Sequence, residues 1–380
     1  MEEKIYKINH LNINESKTEF SLSYEIGIKI FDIEKFQEKE RISNNEFALG
    51  SISLTVFLPE TNIIIFVGSK NNKDYPDDNL VFFDINKKEV LLSKKFENSI
   101  TNVKYVSDFL FVCFGRELKI FLYDNQKDLK EKELYQLDEE YMNLFEAWYE
   151  KENNKITKIF LSYPYKKDLT ILFYEVDEWK IGNKKNISSP VHKIQNLFYI
   201  RKLNQLFISD ENAIYIYGID ADDGSIKLCL KRGSYPGFIT SMTLLNNNYL
   251  AINNLNRTIH IFDLDINNNA FSFSNIIYGM VYGLQEIYPC LRIYFKNLTS
   301  GKEGEFHKND FNKKGALLVS QDDGNELNII SYNGYAYKIK INFQETKYDI
   351  ISKVYYTEPK KDSKNLSLFT SCCELDTNNK

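Results

Sequence analysis

The chain has 380 residues, 43% hydrophobic and 14% aromatic, a composition that excludes a disordered polypeptide and marks a globular fold. A net charge of −5 provides no global basic field, so no nucleic-acid partner is expected and any anion must be held by a local site. The five cysteines (113, 229, 290, 372 and 373) have no paired spacing, which reads as reduced thiols with neither a disulfide framework nor a zinc site.

Met1-Glu2-Glu3-Lys4 has neither the basic nor the apolar region of a secretory signal. No apolar run approaches the roughly 20 residues of a membrane span, so a cytoplasmic protein is expected. Short runs rich in Ile, Val, Phe and Tyr then follow one another, separated by Asn, Asp, Lys and Gly turns, the pattern of strands. One kind of run recurs after a turn: 27–32, 80–84, 118–121, 169–174, 213–217, 258–263 and 335–339. The interval of roughly 40 to 50 residues is that of four-stranded propeller blades, with these runs as third strands. Stretches 51–57 and 62–67 read as the first two strands of the second blade. The expectation is therefore an all-β, seven-bladed β-propeller over residues 1–356; a β-sandwich does not repeat one marker in this way. Residues 127–141 read as a charged connection containing a short strand.

Two stretches break the rhythm. Residues 267–288 form an insertion before the outer strand of the sixth blade at 290–295, with no charge until Glu286. Its middle carries Phe271, Phe273, Ile276, Ile277, Tyr278, Met280 and Tyr282, markedly apolar for a loop, which calls for a protein or lipid surface to cover it. Residues 302–314 read as a solvated loop, and 357–380, rich in Lys, Asp, Ser and Asn, as a disordered tail.

Leu230-Lys231-Arg232-Gly233 ends a strand of the fifth repeat. Alone, a basic pair before a glycine turn is a common solvated strand end. The neighbouring 258–263 strand, however, places Thr258 and His260 on one face, because alternate residues share a face. Arginine, threonine and histidine together make a cradle for phosphate.

With the repeats, the basic pair and the apolar insertion in view, the sequence resembles the PROPPIN family, the WIPI-type phosphoinositide-binding propellers. Residues 48–52 and 62–68 with Tyr75-Pro76, then 79–84, resemble the family's second blade. Leu161-Ser162-Tyr163-Pro164 resembles the fourth, His192-Lys193 the fifth, and 327–337 the seventh. The family hallmark is an Arg-Arg-Gly turn whose two arginines serve two lipid pockets. Here it reads Lys231-Arg232-Gly233. For the second pocket the resemblance implies Arg232, Thr258 and His260, with Asn254 at a serine position. The first pocket is degraded: Ser209 stands at its serine position, Ala213 where a threonine is expected, and Lys231 cannot make an arginine's bidentate fork.

The resemblance implies binding of phosphatidylinositol 3-phosphate or its 3,5-bisphosphate counterpart, with Arg232 supplying charge. It also implies a histidine that protonates near an anionic surface and strengthens binding as pH falls. The insertion would be the second membrane contact. Recruitment to phagophore, endosomal or vacuolar membranes as a monomer is implied, with autophagy or trafficking proteins docking at the 71–78 loop. No HExxH, GxSxG or phosphate-cradling glycine loop is present, so neither enzyme chemistry nor a cofactor is expected. Asp222-Asp223-Gly224 and Gln321-Asp322-Asp323-Gly324 are turn sequences lacking a calcium loop's further carboxylates. The alternative is a propeller scaffold for proteins that has lost lipid binding.

Overall fold

Third-strand runs are apolar at nearly every position, the pattern of a strand covered on both faces, whereas outer-strand runs are mixed and polar. The computed structural model describes residues 7–43, 49–59, 61–124, 128–137, 143–152, 155–166, 168–176, 180–255, 258–265, 286–294, 315–320, 324–332 and 334–356. In the second blade the difference is plain: Asn79–Asp84 is buried along its whole length, while Glu89–Lys95 is half-buried or exposed throughout.

Seven sheets follow in chain order, each with four antiparallel strands and one with a fifth strand added. Blade 1 is β1 (Ile8–Ile13), β2 (Glu19–Tyr24), β3 (Gly27–Asp32) and β4 (Glu38–Ser43); blade 2 is β5 (Ile52–Phe57), β6 (Ile63–Gly68), β7 (Asn79–Asp84) and β8 (Glu89–Lys95). Blade 3 is β9 (Asn102–Val106), β10 (Phe109–Phe114), β11 (Glu117–Asp124) and β12 (Asp128–Gln136). Blade 4 is β13 (Glu146–Glu152), β14 (Lys155–Tyr165), β15 (Asp168–Glu175) and β16 (Lys180–Ser188). Blade 5 is β17 (Asn196–Ile200), β18 (Gln205–Ser209), β19 (Tyr215–Asp220) and β20 (Ile226–Lys231). Blade 6 is β21 (Ile239–Leu245), β22 (Tyr249–Asn254), β23 (Thr258–Asp263) and, after the short β24 (Glu286–Ile287), β25 (Pro289–Tyr294). Blade 7 is β26 (Ala316–Val319), β27 (Glu326–Ser331), β28 (Tyr335–Asn342) and β29 (Lys347–Tyr355). Six of the seven marker runs lie on third strands, and 213–217 starts in the turn just before β19 and runs into it.

Two expectations are corrected. The 127–141 segment is not a connection: β12 is the full outer strand of blade 3, paired with β11 from Glu117↔Gln136 to Asp124↔Asp128. The last residues of the 267–288 insertion are not loop either, since β24 pairs in parallel with β20 through Cys229↔Glu286 and Leu230↔Ile287. Blade 5 thereby gains a fifth strand from the chain returning to blade 6.

The core is divided among the contacts between successive blades. Phe207, Leu230, Ile252, Phe262 and Ile287 fill the one between blades 5 and 6. Ile8, Phe20 and Phe31 of blade 1 pack on Val319, Ile330 and Ala336 of blade 7 and on Tyr356 just after it. Among the described residues no strand is exchanged between blades 1 and 7, and side chains join them. Phe271, Phe273, Ile276, Ile277, Tyr278, Met280, Tyr282, the 302–314 loop and the 357–380 tail lie outside the described residues.

Candidate functional site

Arg232 follows β20 directly, at the edge where blade 5 meets blade 6. Its side chain is only 3% exposed. Nε donates to the Ala213 carbonyl at 2.8 Å, and Nη2 to the Asn212 carbonyl at 3.1 Å and to the Tyr235 carbonyl. The guanidinium thus ties the β18–β19 turn to the loop after β20, which needs the tie because Ala213 sits in the left-handed region at φ 47°. Nη1 donates to no acceptor among the described residues. Burial, and then the charge of Arg292, lower the pKa of Arg232.

Blade 6 supplies the rest. Thr258 and His260 are buried on β23, and Asn254, also buried, pairs with Thr258 in register. The His260 Nδ1 is buried and makes no hydrogen bond among the described residues. Burial first, then Arg232 and Arg292, hold its pKa down to about 3. Without a ligand His260 is therefore neutral, because burial and the two nearby positive charges all disfavour the imidazolium. Arg292 carries no signal in the sequence. It is exposed on β25 and stands directly across from His260, so the two share a face of the sheet.

Lys231 is engaged elsewhere. Nζ lies 3.1 Å from the Glu286 carboxylate, which is 1% exposed, and 5.3 and 5.5 Å from the ring centres of Tyr215 and Tyr288. Burial opposes its charge, but Tyr215 and Glu286 outweigh it and raise the pKa above the ordinary lysine value. Glu286 also accepts from the Tyr288 hydroxyl at 2.7 Å. Ser209 is fully buried, accepting from Asn196 Nδ2 at 2.9 Å and donating to the Asp210 carbonyl at 3.2 Å. The structure thus brings the charge of Arg232 to His260, with Thr258 and Asn254 on the same sheet as the histidine, while Lys231 is paired with Glu286 and Ser209 with Asn196.

Tyr235, Phe238, Tyr288 and Tyr294 are exposed around this edge, Tyr235 by 82%. On the opposite flank of the ring, Asn72 orders the 71–78 loop. Its Nδ2 donates to the Leu49 carbonyl and, at 3.1 Å, to that of Ser51, while Oδ1 accepts from Asp74 N and Tyr75 N at 3.1 and 3.0 Å. Among the described residues no helix is long and apolar enough to cross a membrane, and no cluster of three or more His, Cys, Asp or Glu is arranged to hold a metal.

No family model matches the chain. Among solved structures, Kluyveromyces lactis Hsv2 with complete loop 6CD superposes with a TM-score of 0.68 at 15% identity, over 92% of this chain and 99% of that one. KlAtg21, in its complex with the coiled coil of AgAtg16, superposes with a TM-score of 0.66 at 16% identity, over 92% and 99%. Saccharomyces cerevisiae Sqt1 reaches 0.58 at 9% identity, over 92% and 86%. The chain has the seven-bladed propeller fold that the Hsv2 and Atg21 structures share.

Proposed function

We propose that the protein is a non-catalytic effector of 3-phosphorylated phosphoinositides, bound at the rim between blades 5 and 6, that bridges a membrane to autophagy or trafficking proteins. The observation that carries this reading is the convergence of Arg232, Thr258 and His260 at a place where only positive charges act on the histidine. Such a place suits the dianionic monoester of phosphatidylinositol 3-phosphate. Arg232 Nη1 and the Thr258 hydroxyl donate to it, with Asn254 behind them. His260 donates from one ring nitrogen while neutral, and takes up a proton more readily once the anion offsets the two cations. Exposed Tyr235, Phe238, Tyr288 and Tyr294 add an aromatic collar suited to the headgroup level of a bilayer.

A single pocket is a weak anchor. The 267–288 insertion follows β23, the strand that carries Thr258 and His260, and ends in β24, which pairs beside β20, so its apolar residues would enter the same bilayer. Burying them contributes several kcal/mol at roughly 25 cal/mol per Å². Two contacts on one rigid body multiply through effective concentration. This makes the protein a cytoplasmic monomer recruited peripherally to phagophore, endosomal or vacuolar membranes. The ordered 71–78 loop is the surface offered to protein partners, and the coiled coil in the KlAtg21 complex is an example of partner chemistry on this fold.

The test is co-flotation with vesicles with and without phosphatidylinositol 3-phosphate, using the wild type, Thr258→Val and Arg232→Ala. Lipid-dependent flotation weakened about three- to tenfold by Thr258→Val, the worth of one neutral hydrogen bond, and abolished by Arg232→Ala supports the pocket. Flotation indifferent to both substitutions removes it. The second reading, a protein scaffold without lipid binding, is favoured by one observation, the Lys231–Glu286 pair, and total absence of flotation would select it.

A further inference from the structure

The proposed pocket contains an arginine that neither the sequence motif nor the family resemblance includes. We infer that Arg292 is the second ligand-contacting cation of this site, gripping the phosphate monoester from the blade 6 side while Arg232 forms the pocket's inner wall. The inference rests on the lipid-binding reading above and extends it.

Three observations converge. First, β23 and β25 pair so that Arg292 lies directly opposite His260, and Tyr294 opposite Thr258. Directly paired residues on antiparallel strands hold their side chains on one face, with Cβ atoms about 5 Å apart. Arg292 therefore rises beside His260, over the same face that carries Thr258. Second, the two arginines are unequal. Arg232 is buried and commits Nε and Nη2 to three backbone carbonyls, leaving only Nη1 for a ligand. Arg292 is exposed and has neither a hydrogen bond nor an ion pair among the described residues, so its whole fork is available. Third, His260 is nearly buried, its Nδ1 has no hydrogen-bond partner among the described residues, and the charges of both arginines act on it. The charge of Arg292 acts on both Arg232 and His260, and among the described residues no carboxylate opposes it there. Two like charges around a desolvated imidazole disfavour one another, and a dianion placed among them relieves the repulsion. Glu286, on the neighbouring β24, is already paired with Lys231.

This division of labour also accounts for how the site tolerates lysine in place of the first motif arginine. The second cation comes from across the sheet, on the strand that begins after the insertion ends. The recognised chemistry is a phosphate monoester dianion, whether on a membrane lipid or on a soluble inositol phosphate.

Three probes separate the possibilities on the full chain: vesicles containing phosphatidylinositol 3-phosphate, soluble inositol 1,3-bisphosphate, and inorganic phosphate. Arg292→Gln and Arg292→Lys are compared with the wild type, with melting temperature as the folding control. The expected result is a loss of tenfold or more for vesicles and inositol bisphosphate in Arg292→Gln, with part of the affinity kept in Arg292→Lys and melting unchanged. The His260 imidazole should also titrate higher in ligand-free Arg292→Gln, as seen in its NMR signals. Wild-type binding that Arg292→Gln leaves intact overturns the role of Arg292 and spares the pocket. Loss of vesicle binding with soluble binding retained makes Arg292 a general membrane-surface charge and overturns its place in the site. A wild type that binds none of the probes overturns the lipid reading and this inference together.

Discussion

At the scale of single residues, His260 has a consequence for stability independent of any ligand. Its folded pKa of about 3 lies below the ordinary histidine value of about 6.5. Protonation therefore favours the unfolded chain: the stability is fully present above about pH 6.5 and is lost progressively as pH falls toward 3. The slope from this one group approaches about 1.4 kcal/mol per pH unit in that window. Carboxylates titrate in the same range, so the measure is a difference. The pH dependence of chemical denaturation should be shallower in His260→Gln than in the wild type between pH 6 and 4. Equal slopes would place the imidazole in a more solvated setting than its burial indicates.

At the scale of elements, two turns are held by contacts that a single substitution undoes. Gly68 ends β6 beneath the 71–78 loop, and a Cβ there would come within 1.4 Å of the Tyr75 carbonyl oxygen. Gly68→Ala must therefore displace the loop and break the edge-to-face contact of Tyr75 with Phe66, whose ring centres are 5.5 Å apart. A loss of about 2 to 4 kcal/mol, together with proteolytic cleavage appearing between residues 70 and 78, is the expected outcome. The second case is β24. Its Glu286 neutralises Lys231, the first basic residue of the Lys231-Arg232-Gly233 turn, and accepts from the Tyr288 hydroxyl. Glu286→Gln keeps the shape and the Tyr288 contact but releases the lysine charge. Vesicle binding should strengthen and its salt dependence steepen by about one charge. An unchanged salt slope would mean that Lys231 does not reach the ligand.

These elements also mark what could be read from the chain alone. The seven third strands were legible because burial on both faces writes an unbroken apolar run, as in Leu80-Val81-Phe82-Phe83. Arg232, Thr258 and His260 were legible through local spacing and alternation. β24 was not, since two residues pairing by backbone alone leave no periodicity. β12 was obscured because an outer strand with one solvated face shares its lysines and glutamates with a surface loop. Arg292 was hidden for a related reason: it looks like any solvated charge until the register of β25 against β23 sets it beside His260, a pairing made across the insertion.

At the scale of the whole molecule, the ring is braced across its axis and closed at one seam. Glu15 of blade 1 accepts from the Tyr149 hydroxyl of blade 4 at 2.7 Å and from Arg201, which follows the first strand of blade 5, at 3.2 Å. The Arg201 guanidinium lies 3.9 Å from the centre of the Tyr149 ring. The seam between blades 7 and 1 depends on packing: Tyr356 meets Phe20 and Phe31, each at 5.5 Å between ring centres, and its hydroxyl donates to the Ser331 carbonyl. Tyr356→Ala should cost about 3 to 5 kcal/mol, because it opens a cavity and removes a buried hydrogen bond at once. Hydrogen exchange should then rise first in β1 to β3 and β26 to β28. A uniform rise over all seven blades would show that the ring opens as one unit rather than at this seam.

A seam closed by side chains also sets a schedule for biosynthesis. The blade 1 face carrying Phe20 and Phe31 leaves the ribosome long before the blade 7 residues that cover it, Val319, Ile330, Ala336 and finally Tyr356. At roughly 5 to 20 residues per second, the nascent chain carries that aromatic face uncovered for on the order of 15 to 60 seconds. Translation is thus the period in which this propeller most needs a chaperone, and the arrival of blade 7 with Tyr356 ends that exposure.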